Sequence, residues 1–155
     1  MRKQTRRKVY KLINPIAHAL EGIKPPQGDK LDKLRTLELS AIESFRTGQA
    51  TVNDWSHIVG MMNLAENMGQ HGVGGEVLPY CEQAHQHLIE AAKRFEKTGR
   101  MGLTGPALQC LREVYEYHDL QRTSITLAEY EKHIQDTANR IRSKAPEVTD
   151  VLEAA

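Results

Sequence analysis

The sequence predicts an all-α fold: a compact helical bundle of about five main helices plus a short N-terminal helix. Three observations carry this. Apolar residues recur at i, i+3, i+4 and i+7 through most of the chain. Glycines and prolines fall at intervals that suit helix ends. No alternating β-branched run and no Asn-Gly or Asp-Gly pair signals a strand or hairpin.

The elements follow in order. Asn14 can cap a short first helix, Pro15 suits its first position, and Gly22 ends it. Lys24-Pro25-Pro26-Gln27-Gly28 is then a stiff linker, because each proline fixes its own φ and disfavours helix in the residue before it. The second helix runs from about Asp29, read as its cap, to Thr47, with Leu31, Leu34, Leu37 or Glu38, Ala41, Ile42 and Phe45 at helical spacing. Gly48 stops it. Thr51 opens the third helix, with Asp54 placed for a capping box, and Trp55, Ile58, Val59, Met62 and Ala65 form its stripe. Four glycines between Gly69 and Gly75 form a turning loop.

The fourth helix spans about Gly75 to Thr98, with Pro79 in its first turn. Its face is Leu78, Cys81, His85, Leu88, Ala92 and Phe95, and Gly99 stops it. After the loop 99–105, Thr104 or Gly105 opens the fifth helix, whose inner face is Ala107, Leu108, Leu111, Val114, Tyr115 and His118. Thr126 and Glu129 form a capping box for the sixth, with the stripe Leu127, Tyr130, Ile134, Ala138 and Ile141. Pro146 ends it. Connections of two to eight residues predict mostly antiparallel neighbours.

A length of 155 residues suits a single helical domain, placed at 14–144, between a basic arm at 1–13 and an acidic tail at 145–155. The formal net charge of +1 conceals an asymmetry. Arg2, Lys3, Arg6, Arg7, Lys8 and Lys11 lie in the arm with no acid, so the other 15 basic residues face 20 acidic ones. The body is therefore near −5. Two cysteines, Cys81 and Cys110, make no disulfide framework and read as reduced, in a cytoplasmic protein. No apolar run follows the basic N-terminus as in a signal peptide, and none reaches the ~18 residues of a membrane span.

Four features are candidate sites. The arm, with Tyr10 able to stack on a base, has the chemistry to track phosphates, although the acidic body repels nucleic acid. Glu82-x-x-His85, with Cys81 one turn from His85, has the spacing of half a metal site, echoed loosely by Asp54-x-x-His57. One such pair falls short of a complete donor set, so no metal and no cofactor is expected. The third is His118 on an apolar stripe, for which Glu66 or Asn63 is the expected partner. A polar group so placed lines a pocket or fixes helix register. The fourth is the pair of glycine loops at 69–75 and 99–105. Each opens a helix whose free amides can receive an anion, with His71 and Arg100 alongside. Neither follows a strand as a phosphate loop does.

The segments Asn14-Pro15-Ile16-Ala17, Leu20-Glu21-Gly22, Gly48-Gln49-Ala50-Thr51, Asp54-Trp55, Asn63-x-Ala65-Glu66, Leu103-Thr104-Gly105-Pro106, Leu111 and His118-Asp119-x-Gln121 carry a resemblance. Over residues 14–135 the chain resembles a group of small uncharacterised proteins of proteobacterial phages and prophages. The resemblance implies a phage accessory protein in the cytoplasm of a bacterial host cell. It supplies no catalytic or binding residues.

The expectation is therefore a non-enzymatic, self-associating accessory or counter-defence protein that binds and sequesters a host protein or a small nucleotide. Its ligand site is expected where the third and fifth helices meet, at Trp55, Asn63, Glu66, Tyr115, His118 and Arg122, with Arg100 nearby. The alternative is a nucleic-acid binder that uses the arm. A membrane partner is not expected.

Overall fold

The structure is a computed structural model that describes residues 22, 24–26 and 28–143. The basic arm, the first predicted helix apart from Gly22, and the acidic tail lie outside the described residues. Within them the chain forms five α-helices: α1 (Asp29–Arg46), α2 (Val52–Gln70), α3 (Leu78–Thr98), α4 (Gly105–Thr123) and α5 (Leu127–Ser143). No strand occurs among the described residues, so the predicted all-α bundle is observed. None of the described helices is long and apolar enough to cross a membrane.

Local chemistry explains most helix ends. Thr51 and Asp54 form a reciprocal capping box at the start of α2, and Thr126 and Glu129 do the same at α5. The Thr104 hydroxyl accepts from the Ala107 amide at α4. Pro79 and Pro106 occupy first turns, where a missing N–H costs nothing.

Two ends differ from the expectation. Asp29 does not cap α1. Gly28 takes that place at φ 79°, and Asp29 becomes the first helical residue, where its charge, with that of Asp32, favours the helix dipole. The helix expected from Gly75 begins instead with a 3-10 turn, Gly75–Val77, after Gly74 has turned left-handed at φ 59°.

α2 is the central helix and packs against α1, α3, α4 and α5. Its Trp55, Ile58, Met62, Ala65 and Met68 are essentially fully buried. Each large apolar side chain so buried contributes roughly 1.5–3 kcal/mol. Ala41, Ile42 and Phe45 of α1, Leu88, Ala91 and Ala92 of α3, and Leu111 and Val114 of α4 join this core. The small alanines of α3 let that helix lie close, which suits a core poor in aromatics.

α5 is held differently. Only Tyr130 and Thr137 are buried along it, and its expected stripe residues Ile134 and Ile141 remain partly exposed. It is fastened by polar bonds: the Leu127 amide to the Lys24 carbonyl at 2.6 Å, and Arg140 to Asn67 Oδ1 at 3.0 Å and to Gln70 Oε1 at 2.8 Å.

Candidate functional site

The spacing of α1 places either Leu37 or Glu38 toward the core, and the structure chooses the acid. Leu37 is 50% exposed and Glu38 only 4%. The reason lies across the interface on α4, where Arg122 is completely buried. Its two terminal nitrogens donate to the two Glu38 oxygens at 3.0 and 2.8 Å, a bidentate pair. Its Nε donates to Asp119 Oδ1 at 2.8 Å. Arg35 of α1 grips the same Asp119 at 2.8 and 3.0 Å. The Arg122 guanidinium also lies 5.8 Å from the centre of the Tyr115 ring.

These four charges compensate one another. Burial disfavours the charge on Arg122, but Glu38 and Asp119 outweigh it and raise its pKa. Burial pushes Asp119 up, and the bonds from Arg35 and Arg122 bring it below the ordinary carboxylate value. Burial likewise raises Glu38 against the pull of Arg122. The guanidinium cannot release its proton at neutral pH, and Glu38 takes the donors of both its terminal nitrogens.

His118 is fully buried on α4, and its expected partners prove wrong. Neither Glu66 nor Asn63 reaches it. Nδ1 lies 3.0 Å from Oε1 of Gln121, one turn further along the same helix. The amide nitrogen of Gln121 is occupied as a donor, to the carbonyls of Ala65 at 3.1 Å and Val73 at 2.7 Å. Its oxygen must therefore accept, which assigns the proton to Nδ1 of His118. Burial, and then the Arg122 charge, push the His118 pKa down to about 4, so the ring is neutral at pH 7. Gln121 thus ties the glycine loop to α2.

The expected pocket residues do not converge on one cavity. Trp55 is buried, and its indole N–H donates to the Leu88 carbonyl at 3.1 Å, joining α2 to α3. His118 and Arg122 are enclosed. Tyr115 is half-buried beside Arg122 and lines a separate cleft of about 410 Å³ with Leu39, Ile42, Glu43, Arg112 and Glu116, between α1 and α4. Asn63 is half-buried on α2. Arg100 is exposed, with its backbone N–H on the Thr98 hydroxyl. Met101 of the same loop is buried, and Arg94 donates to the Gly102 carbonyl at 3.1 Å. The arm residues Arg2, Lys3, Arg6, Arg7, Lys8 and Lys11 lie outside the described residues.

Glu66 stands elsewhere. It lines a cleft of about 430 Å³ between α2 and α3, together with Gln70, Leu78, Glu82, His85 and Gln86. Glu82 and His85 therefore share a cleft, as their spacing allows. Cys81 turns inward, its Sγ 3.9 Å from the Met62 carbonyl, and burial pushes its thiol up to about 12. It is unreactive packing. Among the described residues, no group of three His, Cys, Asp or Glu side chains is placed to hold a metal ion.

A third concavity is apolar, about 300 Å³, lined by Leu34 and Leu37 of α1, by Ser56, His57, Gly60, Met61 and Leu64 of α2, and by Tyr130 and Ile134 of α5. Fold and site thus define the class: an all-α helical bundle with an ionic core and open surface clefts. No family model, curated protein or solved structure matches the chain.

Sequence reasoning missed Glu38, Asp119, Arg35 and Gln121 as the partners of its candidates. A signal existed for Glu38, an acid set on an otherwise apolar stripe. None existed for Gln121, whose carbonyl partners are 48 and 56 residues away.

Proposed function

We propose that this chain is a non-enzymatic binding protein of phage type, an accessory or counter-defence protein that sequesters a host protein. The cleft between α2 and α3 is the capture site, and a basic segment of the host protein is its occupant. One observation carries this reading: Glu66 and Glu82 both line that cleft, around the apolar side chain of Leu78. Carboxylates favour a lysine or arginine with an apolar stem and disfavour the phosphates of a nucleotide. Two of the expected ligand residues, His118 and Arg122, are instead enclosed and hydrogen-bonded within the core.

The test is capture from a lysate of phage-infected bacteria by the immobilised full chain, with bound species identified by mass spectrometry. A basic host protein that is retained by the parent chain, and lost when Glu66→Gln and Glu82→Gln are combined, supports the reading. The melting temperature of that variant should be unchanged. A nucleotide-sized ligand that copurifies and survives both substitutions overturns it.

The second reading, nucleic-acid binding through the arm, is favoured by the six uncompensated cations at residues 2–11. Deleting those residues should abolish salt-dependent retention of DNA or RNA if the arm is responsible.

A further inference from the structure

On α5, the ring of His133 lies beside that of His71, the residue at the C-terminal cap of α2. The ring centres are 5.9 Å apart and the planes are tilted by 56°. Nδ1 of His71 is 2.7 Å from the Asn67 carbonyl, which can only accept, so that nitrogen carries a proton. Nδ1 of His133 is buried and has no hydrogen-bond partner among the described residues. A neutral ring tolerates this by carrying its proton on Nε2. A protonated ring does not, because both nitrogens are then donors and Nδ1 holds an N–H with no acceptor.

We propose that His71 and His133 form an acid-sensitive latch, in which proton uptake at His133 releases α5 from α2 while the rest of the bundle stays folded. The charges around the ring favour this direction. Burial, and then His71 on α2, push the His133 pKa below its ordinary value. On α5 itself, Asp136 and Glu129 oppose the shift without reversing it, and Lys132 adds to it. Arg140 brings a further cation to the α2–α5 contact, on Asn67 and Gln70. On a released α5 the ring regains the ordinary value of 6.5. Release therefore takes up a proton. The hold on α5 is complete well above pH 6.5 and weakens as the pH falls below it.

α5 is the helix built to yield. Only Tyr130 and Thr137 are buried along it, and its remaining hold is the polar bonds of Leu127 and Arg140. The contact also reaches the acidic cleft: Gln70 accepts from Arg140 and donates to Glu66 Oε1 at 3.2 Å. The latch stands whether or not that cleft captures a host protein.

The experiment is hydrogen exchange of the full chain at about pH 7.5 and about pH 5.5, read by segment with mass spectrometry and corrected for the intrinsic rate. One proton taken up on opening changes the opening equilibrium by at most about tenfold per pH unit. Protection over residues 127–143 should therefore fall by about three- to tenfold at the lower pH. The core amides of α2 and α3 report global opening and should remain better protected than α5 at both pH values. His133→Gln carries no charge at either pH and should leave α5 equally protected at both. His71→Gln, at an exposed residue, should reduce the fall. A parent chain whose α5 is equally protected at both pH values overturns the proposal. So does an α5 that exchanges only together with α2 and α3, or a His133→Gln chain that keeps the parent's full response.

Discussion

Replacing Glu38 with leucine would strand a guanidinium. Arg122 is fully buried, and two of its donors end on Glu38. In Glu38→Leu, Asp119 alone remains to balance it, and Asp119 is already shared with Arg35. Breaking a buried pair from one side costs about 3–5 kcal/mol, because the surviving charge keeps its desolvation penalty. A domain of this kind has roughly 5–15 kcal/mol in total, so the variant sits near the edge of folding. At about 2–4 °C per kcal/mol for a chain of this length, the melting temperature should fall by roughly 6–20 °C.

The double variant Glu38→Leu/Arg122→Met removes both charges and fills the space with apolar atoms. It should recover at least ~2 kcal/mol relative to Glu38→Leu alone, a coupling that an additive pair would not show. Urea titrations followed by circular dichroism measure all three proteins. A loss below ~1 kcal/mol in the single variant, or strict additivity in the double, would refute the view that Arg122 depends on Glu38.

Two further outcomes follow from the core. His118 has a native pKa of about 4, below the ordinary histidine value of 6.5, so the unfolded chain binds a proton first as pH falls. Its contribution is constant above pH 7, and stability is lost from about pH 6.5 down to 4, by up to roughly 3 kcal/mol. His118→Leu should flatten that slope in melts run across this range. It should also cost ~1–3 kcal/mol at neutral pH, since Gln121 Oε1 loses its donor. Gly74→Ala should destabilise by about 1–3 kcal/mol, because Gly74 sits at φ 59° and the new Cβ would fall 2.9 Å from Gln121 Cγ. Gly48→Ala, at φ 74° with nothing within 4 Å, should cost less, and paired urea melts compare the two.

Much of the fold is legible in the chain because its signals are local. Thr51 with Asp54, Thr126 with Glu129, and the first-turn prolines each act within a few residues and need no tertiary information. The stripe of α2 is equally readable, since that helix is surrounded and every apolar position on one face finds a partner. The stripe of α5 reads the same way and behaves differently. Periodicity says which residues share a face, not whether anything covers it, and Ile134 and Ile141 stay partly open.

The site was less legible for the same reason. The sequence reading sets Trp55, His118 and Arg122 at a ligand pocket, whereas the structure buries them against Leu88, Gln121 and Glu38, partners to which that reading does not point. Two of those three lie on other helices, 33 and 84 residues away. Glu66 and Glu82 belong to separate candidate features of the sequence, and only the packing of α2 on α3 brings them to one cleft.

The chain contains one tryptophan, and its position makes it a local witness. Trp55 is 2% exposed and bound to the Leu88 carbonyl, so its emission reports the α2–α3 junction. α5 meets α2 elsewhere, through the polar grip of Arg140 on Asn67 and Gln70. Detachment of α5 would therefore remove helical ellipticity while leaving the indole dark to solvent. Fluorescence and ellipticity recorded on one sample thus resolve the order in which this bundle comes apart, with no added label.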